Sequence, residues 1–246
     1  MITIDDFVML GKTVPEPQSD GRIFVCSAGV SPQMKQLMRI YPLGRYDAPK
    51  RWSVNEIRLE RNRSDSRPES WKRYNPSRGA EDDANPDVVT LQREYPRASR
   101  AALLAPYAVG SVKEANARRL SLAVLHPDDY DLGFDHNPDS PDSPQLALFD
   151  SGKPTPQGAK RFAYIPRLHF RDEDGEHRLM LRDWGCFEWM RKEGDGRRHE
   201  LTTGLHLTPS SSLLIGNFNR HRTSWLVISV LNGLREEPAL FNVDAA

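Results

Sequence analysis

No apolar run in this chain is longer than a β-strand. The longest, such as Trp225-Leu-Val-Ile-Ser-Val-Leu231, span seven residues, and Ile23-Phe-Val-Cys-Ser-Ala28 and Leu120-Ser-Leu-Ala-Val-Leu125 are shorter. Runs of this length between turn residues read as buried strands. A membrane helix needs about 20 apolar residues, so no helical span is expected.

The strand signals sit towards the two ends of the chain. The first residues, to Leu10, form a short strand or helix, and Gly11–Gly21 is a loop carrying Pro15 and Pro17. Small residues after the 23–28 strand (Ser27, Ala28, Gly29) allow close approach to the backbone. Gln33–Arg39 reads as a helical turn or a simple turn, Leu37–Tyr41 as a strand stopped by Pro42, and Ser53–Arg61 as a half-exposed strand. Arg73–Pro96 is a polar surface excursion. Arg97–Ala105 and Ser111–Leu120 have helix-forming composition, with Ser111 as an N-cap. Phe162–Phe170 and His177–Leu181 form a hairpin across Arg171–Glu176, Cys186–Arg191 is a short helix, and Leu213–Asn217 with Trp225–Leu231 make a closing strand pair.

The expected fold is α+β: a mixed, largely antiparallel sheet or partly closed barrel built from both chain ends, with a small helical middle. At 246 residues one domain spanning 1–246 suffices. Within it, 126–158 reads as an acidic Pro- and Asp-rich insertion or linker.

Two cysteines are too few for a disulfide framework, and the N-terminus has no basic and apolar leader pattern, so the expected setting is the cytoplasm. The formal net charge is zero, but the charges are segregated. From Lys35 to Arg78 there are 12 basic residues against five acids, whereas His126–Asp150 holds seven aspartates and no Lys or Arg. Tyr41, Tyr46, Trp52, Trp71 and Tyr74 interleave the basic stretch. Guanidinium groups beside flat rings are the mixture that binds phosphates and stacks bases; the same residues also suit a solvated strand face over a core. Arg197-Arg198-His199 and Arg220-His221-Arg222 add a second basic group.

Familiar catalytic signatures fail. Gly11-Lys12-Thr13 ends like a phosphate loop, but Asp6 stands where its first glycine belongs. There is no Gly-x-Ser-x-Gly and no Glu-x-Lys. The seven histidines are scattered, so neither a metal site nor a cofactor is expected.

Lys12-Thr-Val-Pro-Glu16 with Cys26-Ser-Ala-Gly29 and Arg39-Ile-Tyr-Pro42, Asp65-Ser-Arg-Pro-Glu-Ser70, His177 followed by Asp183-Trp184, and Gly216-Asn217 with His221 and Trp225 together carry a resemblance. They resemble elements of a little-characterised prokaryotic family found beside phage-defence and DNA-modification genes. The resemblance leaves about 78–158 unmatched. It departs from the family pattern at Gly185, acidic in relatives, and lacks the cysteines that some relatives carry before the histidine. It implies action on DNA, most concretely a metal-independent antiphage DNA glycosylase that flips out and excises a modified base. An in-place base-modifying hydrolase and a non-catalytic modified-DNA reader are the rival readings.

Cleaving an N-glycosidic bond builds positive charge on the sugar, so a carboxylate is required beside it. Asp183, next to Trp184, is the first candidate; its alternative role is to cap the following helix. Glu69 and Asp65 are the other carboxylates. Arg67 either meets a phosphate or pairs with its acidic neighbours, and His221 is a proton shuttle or phosphate donor. Lys12, Arg39 and Tyr41 line the same pocket if the 23–28 and 37–41 strands are neighbours. Lys72, Arg73, Arg220 and Arg222 supply backbone contacts, and Asn217 a base-edge contact. Cys26 reads as a small buried residue rather than a nucleophile.

Overall fold

A computed structural model describes residues 1–17, 23–44, 49–74, 88–137, 162–208 and 210–234. The first sheet is built from β1 (Ile2–Lys12), β2 (Glu16–Pro17), β3 (Ile23–Ser31), β4 (Gln36–Gly44), β5 (Ser53–Arg61), β6 (Ser70–Arg73) and β7 (Val88–Glu94). β1 belongs to both halves of this sheet: Ile2–Val8 pair with β5, Val8–Lys12 pair with β3, and register shifts mark the bend. Bulges of this kind turn a strand sharply enough to close a sheet on itself. The result is a barrel in the order β1-β3-β4-β6-β5 and back to β1, with β2 and β7 added at its edges. Every neighbouring pair in the barrel is antiparallel except β4 and β6.

The second half of the chain contributes α1 (Arg100–Leu104), β8 (Ala108–Val109), α2 (Val112–Ala117), β9 (Leu122–Leu125), β10 (Asp129–His136), β11 (Tyr164–Asp172), β12 (Gly175–Leu181), α3 (Trp184–Glu193), α4 (Leu201–Gly204), β13 (Ser212–Asn217) and β14 (Trp225–Leu231). Its strands form an open sheet in the order β10-β11-β12-β14-β13-β9-β8.

The α+β class and the barrel are as the sequence implies, but each half of the chain makes its own sheet. The open sheet lies between the barrel and α2, α3 and α4. One of its faces packs Leu122, Val124, Leu214 and Ile228 on the barrel's outer residues Val8, Leu10, Ala28, Val30 and Leu37. Its other face packs Ala123, Leu125, Leu213, Ile215 and Val227 on Ala115, Phe187, Met190 and Leu201. Covering both faces explains why β13 and β14 are buried throughout and read as continuous apolar runs. β1 is likewise buried from Phe7 to Leu10, with Phe7 and Met9 inside the barrel and Val8 and Leu10 on the open sheet. Gly29 serves this packing: a Cβ there would fall 2.4 Å from Phe7 Cζ and from the Val8 carbonyl.

The expected helices, the 162–181 hairpin and the closing strand pair are present, and Ser111 caps α2 by accepting from Glu114 N at 2.9 Å. Three expectations are corrected. Of the two readings of Gln33–Arg39 the simple turn is the one found, leading into β4, and β4, expected to stop at Pro42, runs on through a cis Tyr41–Pro42 bond. The 73–96 excursion contains β7, an added strand on β5. The 126–158 insertion begins with β10: Tyr130, Leu132 and Phe134 pack on the core, while Asp135 pairs with Arg167 and Arg178 of the adjoining strands. Residues 138–158 of that stretch lie outside the described residues, as do Tyr46 and Arg78.

Candidate functional site

Along β4, Met38 and Ile40 point into the barrel, while Leu37 and Arg39 face the open sheet. On β3 the period-two alternation puts Cys26 on that same outer side, with Ala28 and Val30 beyond it. Apolar contact between barrel and sheet stops short at one end of this face and leaves a cavity of about 300 Å³. Its walls include Glu16, Cys26, Arg39, Arg67, Arg182 and Asn217. Three arginines therefore arrive from three places: β4, the loop before β6, and the segment after β12. Phe218, 43% exposed, stands at the rim.

Two of these arginines are neutralised. Arg67 grips Asp65 with Nε–Oδ1 at 2.8 Å and Nη2–Oδ2 at 2.5 Å and donates Nη1 to the Asn217 carbonyl at 2.6 Å, joining the loop to the sheet. Burial raises the Asp65 pKa, but hydrogen bonds from Arg67 and Ser70 together with the Arg67 charge outweigh it and hold the carboxyl at about 2. Arg182 is ion-paired with Glu16.

Arg39 differs. It is 5% exposed; Nη2 donates to the Ser121 carbonyl at 2.9 Å, Nη1 reaches Cys26 Sγ at 3.8 Å, and Nε has no partner. Among the described residues no carboxylate forms an ion pair with it. Burial lowers its pKa, opposed by Cys26, assisted by Arg67 and opposed again by Glu69. Burial, with Cys26 and Glu16 nearby, raises the Tyr41 phenol. Asn217, 2% exposed, donates Nδ2 to the carbonyls of Leu120 at 3.2 Å and Arg222 at 2.7 Å. Those two bonds fix the amide's orientation and leave Oδ1 buried without a donor.

Of the sequence candidates, Arg39, Arg67 and Asn217 meet in this cavity. Glu69 lines an adjoining one. Lys12, Asp183 and Trp184 line a third, which also holds Arg51, near the bridge between Thr13 and Asp183. Asp183 is 1% exposed and saturated: Oδ2 accepts from Arg51 Nη2 at 2.7 Å, Ser229 Oγ at 2.8 Å and Val230 N at 3.2 Å, and Oδ1 from Gly185 N at 2.7 Å. This is the capping role, joining α3, β14 and the barrel. Lys12 Nζ lies 4.3 Å over the Trp184 ring, and burial, then Arg51, lower its pKa to about 8 against the pull of Asp183 and Glu188.

His221, Arg220 and Arg222 are on the turn between β13 and β14, with His221 and Arg220 exposed. Lys72 pairs with Glu60 at 2.8 Å on the barrel surface, beside Arg73 on β6. The basic stretch is thus distributed around the barrel rather than gathered in one groove. Arg182 and Ser121 carry no sequence signal; strand pairing alone brings them to the seam. Among the described residues no three His, Cys, Asp or Glu side chains are grouped as metal ligands.

Counting only the barrel's five closing strands, the order is one-two-three-five-four and back to one, with three and five parallel. This is the order of the Greek-key barrel that binds oligonucleotides and oligosaccharides on its second and third strands, between the one–two and four–five loops. Here those strands are β3 and β4; Glu16, on β2 between β1 and β3, and Arg67, in the 62–69 loop between β5 and β6, both reach the cavity. Fold alone does not assign an activity. Residues 4–101, most of the barrel and the start of α1, match a domain of unknown function (DUF8758). No curated protein matches the chain. No helix among the described residues is long and apolar enough to cross a membrane.

Proposed function

We propose that this protein binds DNA, taking one nucleotide unit of a strand into the cavity between barrel and open sheet, and acts as a reader of that nucleotide. The observation that carries this is Arg39, a buried guanidinium on the cavity wall with no ion-pair partner among the described residues. An uncompensated buried charge costs several kcal/mol, and a bound phosphate would offset that cost. The volume of about 300 Å³ is at the small end for ligand pockets, which suits one nucleotide rather than a strand lying along the face. The rest of the β3–β4 face is closed by the open sheet. Phe218 at the rim offers a ring for stacking.

Excision of a base would need a carboxylate free to act at the sugar. Asp183 has its oxygens occupied, and Glu69 lines the adjoining cavity rather than this one, so the reader form is favoured over the glycosylase form. A role in defence against invading DNA, in the cytoplasm, accords with the family resemblance and with two free cysteines.

The test is fluorescence anisotropy with labelled single strands at several salt concentrations. Arg39, the cavity arginine without an ion pair among the described residues, predicts a log–log salt slope of about −0.7. Arg182→Gln, which leaves Glu16 unpaired on the cavity wall, should weaken binding, and Lys72→Gln should leave it unchanged. Equal loss from both variants, or no binding, rejects the site. Alkaline strand breakage of modified DNA after incubation would restore the glycosylase form.

A further inference from the structure

The seam continues past the Arg39–Ser121 hydrogen bond into a second cavity of about 330 Å³. Leu37, two residues before Arg39 on the same face of β4, lines it, as does Glu69, two residues after Arg67 in the 62–69 loop. The two cavities therefore lie in succession along β4 and the 62–69 loop. Pro68, Tyr107 and Leu122 give the second compartment flat apolar walls, and Lys35, Arg118 and Arg119 are exposed around it. Arg118 is held by Glu114 at 2.9 Å.

Two buried polar atoms of this compartment lack partners, Glu69 Oε1 and Ser121 Oγ. Arg39 Nε and Asn217 Oδ1, of residues lining the first cavity, likewise lack partners. Each carries a desolvation penalty that a ligand supplying the missing donor or acceptor would remove.

The geometry points to a guanine-binding subsite in this second compartment, adjoining the first and resting on the DNA-binding reading above. A carboxylate accepts and cannot donate. Guanine alone among the bases presents two adjacent donors on one edge, N1–H and N2–H, which match the two oxygens of Glu69. Cytosine and adenine offer one amino group beside an acceptor that repels the second oxygen, and thymine flanks its single N–H with carbonyls. The walls suit a planar ring, and the exposed cations suit the phosphate of the same nucleotide.

The experiment measures anisotropy of labelled 11-mers of thymidine in which the central base is thymine, cytosine, adenine, guanine or hypoxanthine. Guanine should bind about tenfold tighter than thymine. Hypoxanthine, which keeps N1–H and lacks the 2-amino group, should lose most of that gain in the unmodified protein. Glu69→Gln should abolish the guanine preference, so that the guanine and thymine strands bind alike. Equal affinity for all five strands, or a guanine preference that survives Glu69→Gln, overturns the subsite while DNA binding stands. No binding of any strand overturns the DNA-binding reading itself.

Discussion

Asp183→Asn separates the capping role from the catalytic one. The aspartate receives four hydrogen bonds, three at Oδ2 and one at Oδ1, at a position 1% exposed. An asparagine amide has one oxygen to place. Turned towards Arg51, Ser229 and Val230, it keeps three donors satisfied, but its NH2 then faces the Gly185 N–H. That leaves one buried donor unpaired, at about 1–3 kcal/mol. The Arg51–Asp183 ion pair is lost as well, leaving a bond from the Arg51 cation to a neutral oxygen. Together these predict a loss of about 3 kcal/mol, or a Tm lower by about 10 °C for a chain of this size. Asp183→Ala, which strips all four bonds and leaves Arg51 without its partner, should cost more, about 5 kcal/mol. Urea unfolding followed by fluorescence of the five tryptophans reads both values. DNA affinity of the folded asparagine variant should match the parent protein. A loss under about 1 kcal/mol for Asp183→Asn would refute the reasoning, because it would mean that these hydrogen bonds do not join α3 to β14 and the barrel.

Acid stability should depend on Asp65. Its folded pKa of about 2 lies below the ordinary 3.8, so its contribution is complete above pH 3.8 and disappears as pH falls through 2; Asp65→Asn should remove that acid limb in pH-dependent urea unfolding. Lys12 predicts a slope of the same sign at high pH. Its pKa falls from 10.5 to about 8 in the folded protein, so stability should rise between pH 8 and 10.5, and Lys12→Met should abolish the rise. Gly216→Ala would bring a Cβ to 2.6 Å from Ile228 Cδ1 and 2.9 Å from Arg39 Nη2, so it should lower both Tm and DNA affinity.

The strands of the core were legible because their burial writes itself into composition: β13 and β14 are apolar throughout since both faces are covered. β10 was overlooked although its pattern is regular. Tyr130, Leu132 and Phe134 alternate with aspartates, and the aspartates drew attention to charge rather than to period two. Its neighbours Arg167 and Arg178 neutralise Asp135 across the ladder, a compensation visible only once the strands are paired. The site was legible in part for the same reason. Arg39, Arg67 and Asn217 stood out by residue type, whereas Arg182 and Ser121 reach the cavity through pairings between distant segments. Asp183 beside Trp184 looked like a reactive carboxylate, but its surroundings supply donors to both oxygens.

Cys26 offers the most direct probe, since it lines the cavity beside Arg39 while Cys186 is fully buried with its thiol pKa raised well above the ordinary value by burial and Asp183. The measurement is the rate of iodoacetamide modification at each cysteine, read by mass spectrometry with and without a saturating single-stranded oligonucleotide. Cys26 should react in the free protein and slow in proportion to occupancy, with Cys186 unreactive throughout. An unchanged Cys26 rate while the oligonucleotide is bound would place the DNA elsewhere and contradict the account.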